Sequence, residues 1–589
     1  MFNFLPVLVF ASIGWFLHDP VSLFSGSVLA VSAFALIISL KRFHVPLRVQ
    51  SNVLLLIPMG YIVSALINKQ DLPTFFMGAY ARNFGTLTWV SFCLILFYVL
   101  SNSKLDHEKY VRQGLLILTL VVTSYGLIQF LGLDPLPWLE KSKRVTLTLG
   151  NANFAGALIG MLAFVPLVFG LFTKSIKLRI AYFLVALLCA FTGIQTNTFQ
   201  SIAMLVLSVL IFTSFYLANS TKKKERITKN SIYLLIGTTV LILLNATFGL
   251  IKLFPSINRE IYTLGNIEAR LAYWRTGFEM WKDHPIFGVG VGEMQRYAAM
   301  YRTSNQLKFD TANVLQDRAH NVFIDHFAEG GLISGFGWLL FVLFVSYCAF
   351  AVTKNSTSHK DKFNYSILST IWFLYLFQAA ISPDHILLAL IAIVSAGFIL
   401  RRHFEDQDRA NIVKQKSFEL KDVFFPRAIL SFILVLVLVL VGKAMYVDNQ
   451  VKNILAGNIS NPMEIQKTIE SWNSPVTTED VVISEFTFKG DCISIRKYSV
   501  IMLKQNSRST AAWYLRANCS NKELNFKQAI QETEQALIYD PKNSIFISAV
   551  AKLQIADGNL AGAKKTLEKL IRINPNDPEI EGIKNSLPR

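Results

Sequence analysis

The sequence predicts an all-α, polytopic helical membrane protein with about 12 to 13 transmembrane helices, a large external loop and a C-terminal helical-repeat domain. Three observations carry that expectation. The 589 residues are 52% hydrophobic and only 16% charged, where a soluble protein carries about 25% charged residues. The apolar residues come in blocks near twenty long, the length that crosses a hydrocarbon core of about 30 Å. Near the C-terminus, Pro541 and Pro575 stand 34 residues apart in a polar, alanine-containing stretch. Mean hydropathy is +0.42.

Thirteen apolar runs read as spans: 3–17, 21–40, 51–68, 83–101, 113–131, 153–173, 178–193, 198–219, 231–251, 331–353, 365–381, 385–400 and 426–446. The first has no basic region ahead of it and no small-residue cleavage site, so it reads as a retained span. Loops near 41–48, 104–112, 174–179, 222–229, 354–362 and 401–421 are rich in Lys and Arg. The alternate loops hold only Lys69, Arg82, Lys141, Lys143 and Arg144. Basic loops stay cytoplasmic. The N-terminus is therefore expected in the cytoplasm, with the large loop and the tail outside. Much of the net charge of +18 is topological and gives no reason to expect nucleic-acid binding. The expected domains are 1–251 (helices one to nine), 252–330 (the loop), 331–446 (helices ten to thirteen), 447–510 (a connecting region) and 511–589 (repeats).

In the tail, Ala529 maps onto Ala563 and Phe526 onto Leu560 at the same 34-residue offset as the prolines. That is the period of the tetratricopeptide repeat, a helix-turn-helix unit in which small residues let paired helices approach. Two units are few for a solenoid, so 447–510 is expected to add a degenerate unit or a cap. Such a tail reads as a platform for protein partners or, alternatively, as a direct acceptor-binding element. Cys492 and Cys519 lie in it, where an oxidising compartment would permit a disulfide. Cys93, Cys189 and Cys348 lie in spans and read as small apolar residues. No Cys/His spacing suggests a metal site.

The expected topology gathers unusual polar residues at the outer side. Arg144 and Gly150-Asn151-Ala152-Asn153 precede the sixth span. Gln195, Asn197 and Gln200 surround the next outer turn. His320 and Asn321 close the long loop, and Asp384 and His385 sit in a Ser-Pro-Asp-His turn. Ionisable groups near membrane depth are expensive and generally functional. A sugar linked to a polyprenyl diphosphate is a good donor if cations stabilise the departing anion. Arg suits this, because its planar fork pairs with phosphate oxygens and stays charged. A neutral His is the common base for an acceptor hydroxyl, worth about 10²–10⁴-fold. The same residues admit a plainer reading. His320 could cap the next helix at the interface, and Arg270 and Arg275, which flank Trp274, could be surface charges. His284-Pro285 and Gly288-Val289-Gly290-Val291-Gly292 read as a structural bend, since no Gly-Lys-Ser/Thr follows.

The order of these motifs resembles a superfamily of bacterial O-antigen ligases, Wzy-type polymerases and protein O-oligosaccharyltransferases. The matching pieces are Gly150-Asn151-Ala152-Asn153-Phe154-Ala155, Arg270 to Trp274, and Asp283-His284-Pro285-Ile286-Phe287-Gly288 with the glycines after it. The last piece is Ala319-His320-Asn321-Val322-Phe323-Ile324-Asp325, running into Glu329-Gly330-Gly331. The resemblance covers roughly 110–400. It implies an inverting, metal-independent and cofactor-free transfer from an undecaprenyl diphosphate-linked glycan at the outer leaflet of a bacterial inner membrane. It places the essential histidine on His320 and the catalytic, diphosphate-binding arginine on Arg270. Many members carry a Ser-Arg pair where this chain has Gln200-Ser201. Gln200 donates hydrogen bonds but has no charge, so Arg275, Arg318, Arg144 or Arg82 would supply the missing cation. Asn321, Asp384 and Glu329 are the candidates for orienting the acceptor.

The acceptor stays open among a lipid A–core sugar, a protein hydroxyl and a second lipid-linked chain. The first two make a ligase-type oligosaccharyltransferase, the last a polymerase. The non-enzymatic alternatives are a transporter or flippase and an envelope scaffold. A transporter would show internal repeats and polar groups near the midplane. Here the polar groups gather at one face.

Overall fold

A computed structural model describes residues 2–40, 44–45, 52–138, 142, 144–217, 264–303, 306, 315–412, 423–424, 426–472, 479, 481–483, 486 and 490–587. The apolar run at 231–251 and the first residues of the long loop, 252–263, lie outside them, as do Lys141, Lys143 and the basic residues of 222–229. The described regular structure is helical apart from one two-residue antiparallel pairing, His44–Val45 with Val423–Phe424.

In chain order the helices are α1 (Leu5–Phe10), α2 (Ser22–Ser39), α3 (Leu56–Asn68), α4 (Leu72–Met77) and α5 (Thr86–Ser101). There follow α6 (His107–Phe130), α7 (Ala152–Phe172), α8 (Ile176–Ile194) and α9 (Phe199–Leu217). The loop contributes α10 (Leu264–Asp283) and α11 (Met294–Tyr301). Then come α12 (Val322–Asn355), α13 (His359–Ile381), α14 (Ile386–Ile412) and α15 (Arg427–Leu455). Eight of these are long and apolar enough to cross a membrane: α2, α6, α7, α8, α9, α12, α14 and α15. Helix α5 has 16 residues, a length of about 24 Å at 1.5 Å per residue. The molecule is a multi-pass membrane protein.

The expected first span, 3–17, is not one helix. A 3₁₀ turn and α1 end at Phe10, and irregular chain runs on to Ser22. Phe2 packs on Tyr98, Tyr110 and Phe398 at one end of the bundle. Asp19 accepts from Asn83 at the other end, 2.7 Å away. The segment thus runs the height of the bundle as a broken helix. Gly14 and Pro20 explain the break, because Pro cannot continue a helix and Gly weakens one. The Gly14 N–H instead bonds the Pro20 carbonyl.

Helices α7 and α14 form the centre, each with 89% of its apolar window buried. Helices α8 and α15 bury only 22% and lie at the periphery. A row of exposed apolar side chains on α15, including Phe432, Val435, Leu436 and Val439, fits a lipid-facing surface. Helix α12 is broken at Gly331, whose φ is 62° and ψ −155°. A side chain there would meet the Ile286 carbonyl at 2.2 Å, so both the conformation and the close approach require glycine. The break frees backbone groups that the glycine-rich bend satisfies. Val289 N–H bonds Ala328 O, Gly290 N–H bonds Glu329 O, and Leu332 N–H bonds Pro285 O.

The tail begins on the last turns of α15, which reach beyond the bundle, and continues through a turn into α16 (Pro462–Trp472) and then α17 (Cys492–Gln505). Val447, Val451, Ile454, Ile465, Ile469, Ile495 and Tyr498 make a core with Ala512 and Leu515 of α18 (Thr510–Lys522). The connecting region therefore packs directly on the first repeat. A Cys492–Cys519 disulfide ties α17 to α18. The repeats continue as α19 (Phe526–Tyr539), α20 (Ser544–Ala556), α21 (Leu560–Ile573) and α22 (Glu579–Asn585). Ala529 and Ala563, the small residues expected at close helix contacts, are fully buried. Asn525, Asn543 and Asn559 cap the helices that follow them.

The tail docks on loop helix α11. Arg302 pairs with Asp540 through two hydrogen bonds, one of 2.9 Å from Nε, and both side chains are almost wholly buried. Lys542 Nζ donates to the Arg302 carbonyl, and Arg508 stacks 3.9 Å above the Tyr297 ring. Removing one partner of a buried pair strands the other charge, at about 3–5 kcal/mol. Asp540→Ala is therefore expected to loosen the tail from the loop, read as faster limited proteolysis between 447 and 510 and a lower melting temperature. Wild-type proteolysis and melting would show that the pair does not hold the tail.

Candidate functional site

The site is built on the start of α12. Asn321 caps that helix, its Oδ1 accepting from Phe323 and Ile324 N–H. One turn on, Asp325 Oδ1 accepts from Ala319 N–H at 2.7 Å. These two side chains fold the incoming strand back onto the helix. His320 between them takes a left-handed φ of 56°, a conformation costing about 1–3 kcal/mol for an ordinary residue. Its carbonyl accepts from Trp274 Nε1 at 3.4 Å, and its ring lies 5.1 Å from the Tyr273 ring. Helix α10 thus holds the histidine from the outside.

Two residues just before it in sequence form ion pairs. Asp317 Oδ2 lies 2.5 Å from Arg82 Nε. Burial would raise the Asp317 pKa, but the Arg82 guanidinium outweighs it and holds the carboxyl below the usual range. Arg318 Nη1 lies 2.5 Å from Glu329 Oε2, with both groups buried. Glu329 Oε1 also accepts from Gly292 N–H at 2.9 Å. Burial works against the Arg318 charge, yet Glu329 and Asp325 hold its pKa above the ordinary value.

Arg82, Arg318, Tyr61, Asp325, His326 and Asp384 line one cavity at this end of the bundle. Tyr61 Oη and His326 Nδ1 are 2.8 Å apart. Arg318 Nη2 and His326 Nε2 are buried with no hydrogen-bond partner among the described residues. Buried polar atoms left open cost about 1–3 kcal/mol each, so this cavity is built for a polar occupant. Asp384 accepts from Tyr375 Oη at 2.9 Å and from the His385 N–H at 3.0 Å. Its carboxyl keeps some exposure but lies deep in the molecule, and burial pushes its pKa up to about 7 against those two bonds. Arg82 also lies over Phe154, which packs on His385. The Asn-Ala-Asn-Phe motif therefore reaches the same place.

Of the residues expected at the site, Arg82, Arg318 and Asp384 line the cavity, Glu329 pairs with Arg318, and His320 and Asn321 stand in the adjoining loop without lining it. Asn321 and Glu329 are engaged in holding the loop, through the helix cap and the ion pair. Arg270 lies on α10 one turn before Trp274, half-buried and without an acidic partner among the described residues, and burial lowers its pKa. Arg275 and Arg144 are exposed, and neither lines the cavity. Gln200 does not line it either. It is buried at the start of α9 with neither side-chain polar atom bonded among the described residues.

Sequence reasoning missed Tyr61, Tyr273, Asp317, Asp325 and His326. Asp325 and His326 were findable, because two ionisable residues at the head of an apolar run are themselves a signal. Tyr61 sits in an apolar run with nothing to distinguish it. Among the described residues no three His, Cys, Asp or Glu side chains are grouped to hold a metal ion.

The O-antigen ligase family model matches residues 145–342, which take in α7 to α9, the loop helices and the broken α12. A tetratricopeptide-repeat model matches residues 522–587. No curated protein matches the chain. Arg82 and Asp384 line the cavity from outside the matched segment. The chain is thus a multi-pass helical membrane protein that carries an O-antigen ligase domain and, on the same end of its bundle, a tetratricopeptide repeat.

Proposed function

We propose that the protein transfers a glycan from undecaprenyl diphosphate to an acceptor hydroxyl, on a lipid A–core sugar or a protein, at the outer face of the bacterial inner membrane. The observation that carries this reading is the loop histidine next in the chain to a cavity lined by a buried guanidinium, Arg318, and a half-buried one, Arg82. The disulfide in the tail fits an oxidising, external compartment. With the basic loops cytoplasmic, the His320 end of the bundle and the tail then face the periplasm.

His320 takes the proton of the acceptor hydroxyl as its oxygen bonds the anomeric carbon. The bond from that carbon to the diphosphate oxygen breaks, and the diphosphate leaves with the electron pair. One such displacement inverts the anomeric centre. The charges divide the arginines into two kinds. Arg82 and Arg318 are already balanced by Asp317 and Glu329, so they position the loop and offer hydrogen bonds, Arg318 through its open Nη2. Arg270 has no balancing carboxylate among the described residues, so it meets the diphosphate as a full charge. Arg275, five residues further along α10 and exposed, assists from the solvent side. A tail docked on the loop favours ligase-type transfer to an external acceptor. The polar groups stand at one end of the bundle, which speaks against a transporter with a midplane site.

The deciding experiment incubates purified protein with lipid-linked oligosaccharide and three acceptors in parallel: core lipid, envelope protein and a second lipid-linked chain. Labelled core lipid or protein supports the ligase reading, elongated lipid-linked chain makes the protein a polymerase, and no product in any arm removes transfer altogether. His320→Ala is expected to lower transfer by about 10²–10⁴-fold, the worth of a general base, with membrane insertion unchanged. Arg270→Ala is expected to abolish transfer as well. Full activity in either variant would remove that residue from the chemistry.

Asp384 gives a test with a definite sign. Its native carboxyl keeps its proton to about pH 7, whereas an unfolded one loses it near pH 4, by its reference value of about 3.9. The native state then binds more protons between those values, so stability falls as pH rises through that window. Asp384→Asn mimics the protonated form and is expected to flatten the decline in melting temperature between pH 5 and 8, a window on the order of these pKa values. A wild-type slope in the variant would assign the decline to another group.

A further inference from the structure

A second cleft opens beside the cavity lined by Arg82 and Arg318, and two stretches of chain link the two. In the turn between α4 and α5, Arg82 and Phe84 line the cavity while Tyr80 and Asn83 line the cleft. Left-handed conformations at Ala81 and Asn83 accompany this alternation. The second link is Gly292. It lines the cleft, and its N–H bonds the Glu329 carboxylate that pairs with Arg318. The far side is formed by Asp448 on α15 and Trp472 at the end of α16.

The lining has a definite chemistry. Asp448 accepts from Tyr80 Oη at 2.6 Å, from His18 N–H at 2.6 Å and from Asp19 N–H at 3.0 Å. A carboxylate offers about four acceptor sites, so capacity for one more donor remains. Trp472 is half-buried and bridges the bundle-side and tail-side apolar clusters. Lys443 lies over its ring without lining the cleft. Gln295 is exposed, with no side-chain partner among the described residues. Arg296 is committed to Glu293 at 2.7 Å and Asp71 at 3.0 Å.

This combination selects its ligand by charge. Among the described residues no uncompensated cation lines the cleft, and the oxygens of Asp448, as a carboxylate, accept hydrogen bonds and cannot donate to a phosphate. A hydrocarbon chain would strip water from Asp448 without replacing its lost hydrogen bond, at a cost of several kcal/mol. A hydroxyl donor satisfies the carboxylate, the Gln295 amide offers a donor and an acceptor, and an indole face accepts the apolar face of a sugar ring. We propose that this cleft binds one neutral sugar unit, next to the unit that reacts at His320. The inference rests on the transfer reading for its role, though the cleft can be tested without it. The sugar unit belongs either to the donor glycan or to the acceptor.

The test uses the full chain in detergent, with lipid-linked oligosaccharide and acceptor purified from the expressing bacterium. Trp472→Leu keeps an apolar side chain between the two clusters but removes the indole. Gln295→Ala changes an exposed residue and leaves the fold intact. Each is expected to raise one KM by about tenfold with kcat held within about twofold, the signature of binding lost equally from ground and transition states. A raised donor KM assigns the sugar unit to the donor, and a raised acceptor KM assigns it to the acceptor. Wild-type KM for both substrates in the Gln295→Ala and Trp472→Leu variants overturns the cleft while leaving transfer standing. If the wild-type protein transfers nothing, the transfer reading falls and the cleft is judged by saturation-transfer NMR. The probe is then the glycan released from the same lipid by mild acid. Saturation seen with wild type and lost in Trp472→Leu supports the site. No saturation, or displacement by inorganic pyrophosphate, overturns it.

Discussion

Glu329 stands two residues before the break in α12, and its carboxylate is divided between the Gly292 N–H and the Arg318 guanidinium. Taking either charge out of water costs several kcal/mol, and only good geometry repays it. The pair therefore demands three things at once. The helix must break at Gly331, the glycine-rich bend must pack into that break, and the residues before α12 must return to it with Arg318 pointing inward. His320 follows Arg318 by two positions, and its left-handed backbone follows from this closure. The Asn321 cap and the Asp325 bond to Ala319 secure the other side. The strained histidine is thus over-determined by its neighbours, the usual condition for such a residue to persist.

The tail is mechanically part of the same assembly. Helix α15 carries the chain from the bundle into the first tail core without interruption. The repeats then return to grip α11 through Arg302 and Asp540. Helix α11 follows the glycine-rich bend, whose Gly292 meets Glu329. Asp448 near the end of α15 binds Tyr80 and the backbone of His18 and Asp19. A partner engaging the repeats would act on elements that reach the His320 loop through two or three packed contacts.

Much of this was legible in the chain. The 34-residue period placed the repeats, and the alanines it singled out are the buried ones. The apolar blocks anticipated the bundle, apart from the first run, where Gly14 and Pro20 interrupt a segment that composition alone makes helical. His320, Arg318, Arg82 and Asp384 were suspected from topology and resemblance; the last three line one cavity, and His320 stands in the loop two residues after Arg318. The partners that set their charges were not foreseen. Asp317 neutralises Arg82 from 235 residues away in sequence, and Tyr61 meets His326 from 265 residues away. No local pattern encodes such pairings.

Hydrophobic length, helix caps, the repeat period and the position of a glycine that tolerates a positive φ are properties of short stretches. The sequence by itself therefore determined a helical membrane bundle, its repeat tail and the loop that carries the histidine. Which arginines keep an uncompensated charge depends on which carboxylates come within about 4 Å, where the interaction is strong. Only the tertiary structure decided that, because Asp317 and Glu329 reach Arg82 and Arg318 by the packing of distant helices, while Arg270 has no acidic partner among the described residues.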